Sequence, residues 1–219
     1  MSQHQQAERS PTAPRLYLVT PMLEDAEALT RDLAAALEAA DVAAVLLRLA
    51  AADERTLINR VKALVPVVQR SGAALVLDGH AGIVARSGAD GAHLIGIEAF
   101  SAALGSLKPQ RIAGCGGLAT RHDAMLAAET GADYVMFGQP ELDGRRLAFE
   151  TIIERIEWWA EVFEIPSVGF ASSIDEIGPL AAAGADFVAI GDGIWADPRG
   201  VAVAVKATAE RLAASKALA

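Results

Sequence analysis

Beginning at Arg15, short apolar runs alternate with longer stretches of helical period. The apolar runs are Leu16–Val19, Val42–Leu47, Ala73–Leu77, Ala92–Leu94, Arg111–Ala113, Tyr134–Phe137, Ser167–Phe170 and Phe187–Ile190. Their hydrophobicity is continuous rather than alternating, as in strands covered on both faces by helices, and such strands are typically parallel. Helical patterns fill the intervals: Asp25–Ala40, Asp53–Ser71, Ala81–Ser87, Phe100–Leu107, Thr120–Thr130, Leu147–Phe163, Ile174–Ala183 and Arg199–Ser215. In the second of these, Leu57, Val61, Leu64 and Val68 recur at three to four residues, which makes one helical face. Eight strand–helix units predict an α/β fold, a single (β/α)8 TIM barrel over residues 15–219. A doubly wound sheet for dinucleotides would show Gly-x-Gly-x-x-Gly after its first strand, where this chain has Thr20-Pro21-Met22-Leu23-Glu24. The polar segment 1–14 is expected to be a disordered leader.

Gly-Ala-Asp occurs at Gly88-Ala89-Asp90, Gly131-Ala132-Asp133 and Gly184-Ala185-Asp186, each time between a helical stretch and an apolar run. Glycine suits the left-handed turn that ends a helix, and Asp suits a tight connection into a strand. Such turns lie on the stability face of a barrel, so these aspartates are expected to be structural and are given no catalytic role.

Composition narrows the function classes. Hydrophobic residues make up 53% of the 219 and charged residues 21%, which supports a large core and excludes a linker-like chain. Nineteen Lys and Arg against 28 Asp and Glu leave a net charge of −9, which opposes attraction to nucleic acid or an anionic membrane. No apolar run reaches the roughly 20 residues of a membrane helix without meeting a charge. The lone Cys115 excludes an intramolecular disulfide, and no Cys and His set has zinc-ligand spacing. A reducing cytoplasm is therefore expected, with neither nucleic acid nor membrane as a partner.

In a barrel of this kind the residues after each strand face the ligand. Arg48 interrupts an apolar run and suits a bidentate anion such as a phosphate, or alternatively a salt bridge to Asp78. Asp78 and His80 form a His–carboxylate pair suited to proton transfer, or to a loop hydrogen bond. His93, between apolar neighbours, suits a packed core histidine or a base. Gly116 and Gly117 permit close backbone approach to an oxyanion, although tight turns use the same residues. Cys115 has no evident base beside it in the sequence. Ser173-Ile174-Asp175-Glu176 reads as a capping box, and the same helix start could hold a phosphate with Ser172 and Ser173 donating. Gly191 and Gly193 follow the last strand where such barrels often bind phosphate, but Asp192 between them would repel it. Of the adjacent Trp158 and Trp159, one is expected in the core and the other against a partner subunit, the candidate surface of a homodimer.

Several of these segments, in order from Arg15 to about Ile194, resemble thiamine-phosphate synthase and its thiazole tautomerase relatives. They are Leu16-Tyr17-Leu18-Val19-Thr20, the run ending Leu47-Arg48, Gly88 to Leu94, Gly131 to Gly138, and Gly184 to Ala189. The resemblance implies a barrel that joins a pyrimidine diphosphate to a thiazole phosphate and releases pyrophosphate, with Mg2+ on the diphosphate. The family's Gln-Leu-Arg-x-Lys falls on Leu46-Leu47-Arg48-Leu49-Ala50, keeping only the Arg of its polar residues. Its Asn-Asp-Arg falls on Asp78-Gly79-His80, so its metal-binding Asp becomes Gly79, and its later metal-binding Asp falls on Glu98; Asp78 and Glu98, both carboxylates at ligand-end loops, are the pair expected to rebuild a magnesium site. Its Ser after strand five falls on Gly116-Gly117, and of its Thr-x-Thr-Lys only the positive charge of Arg146 remains, beside Asp143. Its Gly-Gly after strand seven becomes Ala171-Ser172-Ser173, and its Val-Ser after strand eight becomes Gly191-Asp192. The expectation is a synthase acting on small phosphorylated heterocycles. The alternatives are a metal-free tautomerase using His80 or His93, and a non-catalytic barrel that binds a phosphorylated metabolite.

Overall fold

The computed structural model describes residues 13–141 and 144–215. Eight parallel strands, β1 (Arg15–Leu23), β2 (Val42–Leu49), β3 (Ala74–Asp78), β4 (Gly91–Ile95), β5 (Ile112–Gly116), β6 (Tyr134–Phe137), β7 (Ser167–Ala171) and β8 (Phe187–Ile190), close into a barrel in sequence order. Closure through β1 and β8, with Leu16 opposite Val188, excludes an open sheet. Helices α1 (Ala26–Ala39), α2 (Glu54–Arg70), α3 (Val84–Ser87), α4 (Ile97–Leu107), α5 (Arg121–Thr130), α6 (Phe149–Val162), α7 (Ile177–Ala182), α8 (Asp192–Trp195) and α9 (Val201–Ser215) complete the described structure. Helix α8 was not expected, since four residues are too few for a periodic pattern. The expected leader falls largely on residues 1–12, outside the described residues. Among the described residues no helix is long and apolar enough to cross a membrane.

Strand parity sorts the core into two layers, because successive side chains point to opposite faces. Leu16, Leu18, Val45, Leu47, Leu75 and Leu77 face outward and are buried with Leu33, Val61, Leu64 and Phe100 of the helices. Tyr17, Val19, Ala44, Leu46, Val76, Tyr134, Met136, Val168 and Ala189 fill the barrel interior. Continuing that inner parity by two residues, from Leu46 to Arg48 and from Val76 to Asp78, aims both charged side chains at the barrel mouth. Cys115 belongs to the outer layer, fully buried. Burial pushes its thiol up to about 12, so it is not a nucleophile at neutral pH.

The three Gly-Ala-Asp turns share one geometry. Gly88, Gly131 and Gly184 have φ of 84°, 110° and 92°, where only glycine sits without strain. The aspartates accept backbone N–H groups from the starts of alternate strands: Asp90 from Leu75 at 2.7 Å, Asp133 from Ala113 at 2.7 Å and Asp186 from Ser167 at 2.8 Å. Each ties the start of one strand to the loop that enters the next, at the end of the barrel away from the mouth.

Candidate active site at the carboxyl ends of the strands

Arg48 is held from both sides. Its Nε donates to the carbonyl oxygen of Thr20 at 2.6 Å, and its backbone N–H donates to Thr20 Oγ1 at 3.1 Å. Its Nη2 donates to Asp192 Oδ1 at 2.8 Å, so the alternative bridge to Asp78 is not the one formed. Closure sets this partner, since α8 follows β8, which lies beside β1. The Arg48 side chain is 27% exposed and that of Asp192 is 85% exposed. The carboxylate that would repel an anion thus also shields the cation that would attract one.

Arg146 is more fully engaged. Its guanidinium pairs with both carboxylate oxygens of Glu176 at 2.9 Å, and it also donates to the carbonyls of Gly138 at 2.7 Å and Phe170 at 2.5 Å. The two side chains are only 15% and 18% exposed, so the pair acts as a strut between the loops after β6 and β7. Glu176 Oε2 also accepts the backbone N–H of Ser172 at 2.7 Å. The expected capping box at Ser173 is not formed: its side chain makes no cap hydrogen bond, the Glu176 backbone N–H donates to the Ser173 carbonyl at 3.2 Å, and the Glu176 carboxylate is engaged by Arg146 and the Ser172 N–H. Ser172 and Ser173 are both exposed. Asp143 lies outside the described residues.

Asp78 ends β3 half-buried, and His80 is exposed with φ of 50° at the start of a tight turn. Glu98 is exposed on the first turn of α4. Among the described residues no three His, Cys, Asp or Glu side chains gather into a metal-binding group. Gly116 ends β5, and Gly117 follows with φ of 63°. Gly191 packs against Val19, where a Cβ would stand 3.3 Å from the Val19 carbonyl oxygen, while Gly193 faces open space.

The barrel interior holds a polar chain that sequence reasoning did not assemble. Tyr17 and Tyr134 share a hydroxyl hydrogen bond of 2.9 Å, Tyr134 Oη lies 3.0 Å from His93 Nδ1, and His93 Nε2 lies 2.9 Å from Gln139 Oε1. The His93 and Tyr134 rings are stacked with centroids 5.6 Å apart. Glycines make the room: a Cβ on Gly114 would fall 2.1 Å from the Tyr134 ring, and one on Gly116 would fall 2.5 Å from His93 Nε2. His93 is completely buried, and burial lowers its pKa below the usual 6.5, although Gln139 and the charge of Asp78 act the other way. Burial likewise raises the pKa of both tyrosines. The polar Tyr17, His93 and Tyr134 inside apolar strands, opposite alternate glycines of β5, are the signal that would have revealed this chain.

Of the two tryptophans, Trp159 is buried and donates to the carbonyl of Ile165 at 2.7 Å. Trp158 is half-buried, with the Arg121 guanidinium 4.8 Å over its ring. Its exposed face is thus partly covered by its own chain. A shallow depression lined by Gln69, Ala74, Asp90 and Ile112 lies at the far end of the barrel, away from the residues above.

A family model described as thiamine monophosphate synthase matches residues 16–194. The thiamine-phosphate synthase of Rhodospirillum centenum is 40% identical over 195 residues, 87% of this chain and 94% of that protein. That of Hyphomonas neptunium is 33% identical over 204 residues, 88% of this chain and 91% of that protein. Among solved structures, the thiamine phosphate pyrophosphorylase of Pyrococcus furiosus superposes with a TM-score of 0.76 at 21% identity, over 92% of this chain and 96% of that one, a likeness of fold. A sequence match that runs from β1 through β8, on a barrel that closes in the matching order, places this chain in the thiamine monophosphate synthase family.

Proposed function

We propose that the chain is a thiamine-phosphate synthase, joining a pyrimidine diphosphate to a thiazole phosphate with release of pyrophosphate at the mouth of the barrel. The observation that carries this is the 40% identity along nearly the whole length of a relative bearing that name. Arg48 is the anion contact: half-buried, fixed through Nε to Thr20, and paired at Nη2 with a highly exposed carboxylate. An exposed pair of this kind contributes on the order of 0–1 kcal/mol, so a diphosphate displaces Asp192 at small cost. Gly193 leaves the backbone after β8 open to close approach, Gly116, Gly117 and Gly191 make room for the side chains and backbone packed beside them, and Ser172 and Ser173 supply exposed hydroxyls. Arg146 serves as the strut that holds the loops after β6 and β7 in place.

Asp78 and Glu98 suit magnesium as oxygen donors, because Mg2+ is commonly held by one or two carboxylates together with substrate phosphates and water. Bound there, the ion would neutralise charge on the diphosphate leaving group. Asp78 and Glu98 would hold the ion, Arg48 orients the diphosphate, and the buried chain lies below as the floor of the site. His93, neutral and bonded at both ring nitrogens, is a positioning group in this scheme. Cytoplasmic location and a homodimer are part of the same proposal.

The test supplies purified protein with the pyrimidine diphosphate, the thiazole phosphate and Mg2+, and follows both thiamine phosphate and pyrophosphate. Equal formation of the two is expected, with activity lost on chelation and in Asp78→Ala. Absence of both products at high enzyme concentration overturns the assignment, and proton exchange on the thiazole phosphate without metal would favour a tautomerase.

A further inference from the structure

The buried chain from Tyr17 to Gln139 runs in one direction, and its direction decides what the barrel mouth presents. Tyr17 is its closed end: the residue is 2% exposed, and the Tyr17 hydroxyl has the Tyr134 hydroxyl as its hydrogen-bond partner. Gln139 is its open end, just past β6 and half-buried, with Oε1 on His93 and its amide nitrogen without a protein partner among the described residues. That nitrogen is also not among the buried atoms left unsatisfied.

Two proton arrangements compete. In one, Tyr17 donates to Tyr134, Tyr134 donates to His93 Nδ1, and His93 Nε2–H donates to Gln139 Oε1, so every buried hydrogen has an acceptor. In the other, the Gln139 amide is turned over and donates to Nε2, Nδ1–H donates to Tyr134, and Tyr134 donates to Tyr17. The Tyr17 hydrogen is then buried with no acceptor, and leaving a buried donor unmade costs more than a typical hydrogen bond returns. The first arrangement wins because the chain has a closed end. Gly114 and Gly116 keep it intact by leaving space for Tyr134 and for the His93–Gln139 contact.

We infer that Gln139 is a ligand-binding, specificity-determining residue that presents two N–H donors to the mouth, oriented by His93, Tyr134 and Tyr17. The group it recognises is a hydrogen-bond acceptor of the ligand, either a heteroaromatic ring nitrogen or a phosphate oxygen. The inference rests on the site assigned above for where the ligand lies, but the proton arrangement stands independently of turnover.

The experiment has two arms. Nitrogen NMR of the labelled wild-type protein reads the His93 tautomer, and the Nε2–H form is expected; the Nδ1–H form overturns the inference. Calorimetric titration then measures binding of inorganic pyrophosphate with Mg2+, and of the unphosphorylated hydroxymethyl aminopyrimidine, to wild type and to Gln139→Met. Met keeps the volume but removes both donors, and near-UV circular dichroism verifies that the variant is folded. Weakening of one probe by about three- to tenfold is expected, the loss of one ordinary hydrogen bond. Pyrophosphate as the affected probe identifies the acceptor as phosphate, and the aminopyrimidine identifies it as the ring. Unchanged affinity for both, or no binding of either probe to wild type, overturns the inference. A synthase assay that fails while the tautomer and the Gln139 effect hold would sink the proposed activity alone.

Discussion

Replacing Gly116 by Ala tests whether the buried polar chain is as tightly built as its geometry says. The added Cβ would stand 2.5 Å from His93 Nε2, 2.8 Å from His93 Cε1 and 2.7 Å from Gln139 Oε1. Ordinary contacts begin near about 3.5 Å, so His93 must retreat by roughly 1 Å. It has little freedom to do so, being stacked on Tyr134 and bonded to it through Nδ1. Breaking the His93–Gln139 bond leaves a buried N–H unpaired, at about 1–3 kcal/mol, and the crowding adds about 1–3 kcal/mol. For a chain of this size each kcal/mol moves Tm by roughly 2–4 °C, so a fall of about 4–24 °C is expected by calorimetry. Gly105→Ala is the control of opposite sign: this exposed glycine of α4 has nothing within 4 Å of an added Cβ. Better helix propensity there should stabilise by about 0.4–1 kcal/mol. A Gly116→Ala protein that melts within about 2 °C of wild type, with the His93 nitrogen resonances unmoved, would refute the packing argument.

Other consequences follow from the same structure. Arg146→Met leaves Glu176 largely buried without its cation and should destabilise by about 3 kcal/mol in urea unfolding; a change below about 0.5 kcal/mol would remove the strut. Arg48→Ala should lower kcat/KM by about 10- to 100-fold, the value of a charge-assisted contact to the diphosphate, and retained activity would count against that role. Because the folded-state pKa of His93 lies below its usual 6.5, the unfolded chain binds the proton first as pH falls. This contribution to stability is complete above about pH 6.5 and declines below it, with a slope of at most about 1.4 kcal/mol per pH unit. Denaturation of His93→Gln between pH 5 and 7.5 should show a shallower slope than wild type. Asp90→Ala should cost about 1–2 kcal/mol through the lost Leu75 cap with no effect on substrate affinity, as a residue at the far end of the barrel must.

The eight strands and, apart from the four-residue α8, the helices around them were legible in the sequence because each is written in a local pattern. Leu57, Val61, Leu64 and Val68 describe one buried helical face whatever that face meets. The continuous runs through Val45-Leu46-Leu47 and Tyr134-Val135-Met136-Phe137 require cover on both sides. The three Gly-Ala-Asp turns were equally readable, since a left-handed glycine and a carboxylate at a strand entry are short-range requirements. The predicted barrel already pointed to its mouth, and the interruption of an apolar run singled out Arg48; the family resemblance added the substrates and the magnesium.

Pairing across the barrel was a different matter. Arg48 meets Asp192 at a separation of 144 residues, and Tyr17 meets Tyr134 at 117. Nothing local in either segment names its partner. Closing β8 against β1 set the first pair, and packing inner-parity side chains into one interior set the second. The sequence by itself determined the eight strands, the longer helices and their order. The tertiary structure decided which cations are shielded by carboxylates, which histidine is buried and neutral, and which amide is left facing the mouth. Burial and charge compensation are properties of a site's whole surroundings, and those surroundings exist only once the barrel is closed.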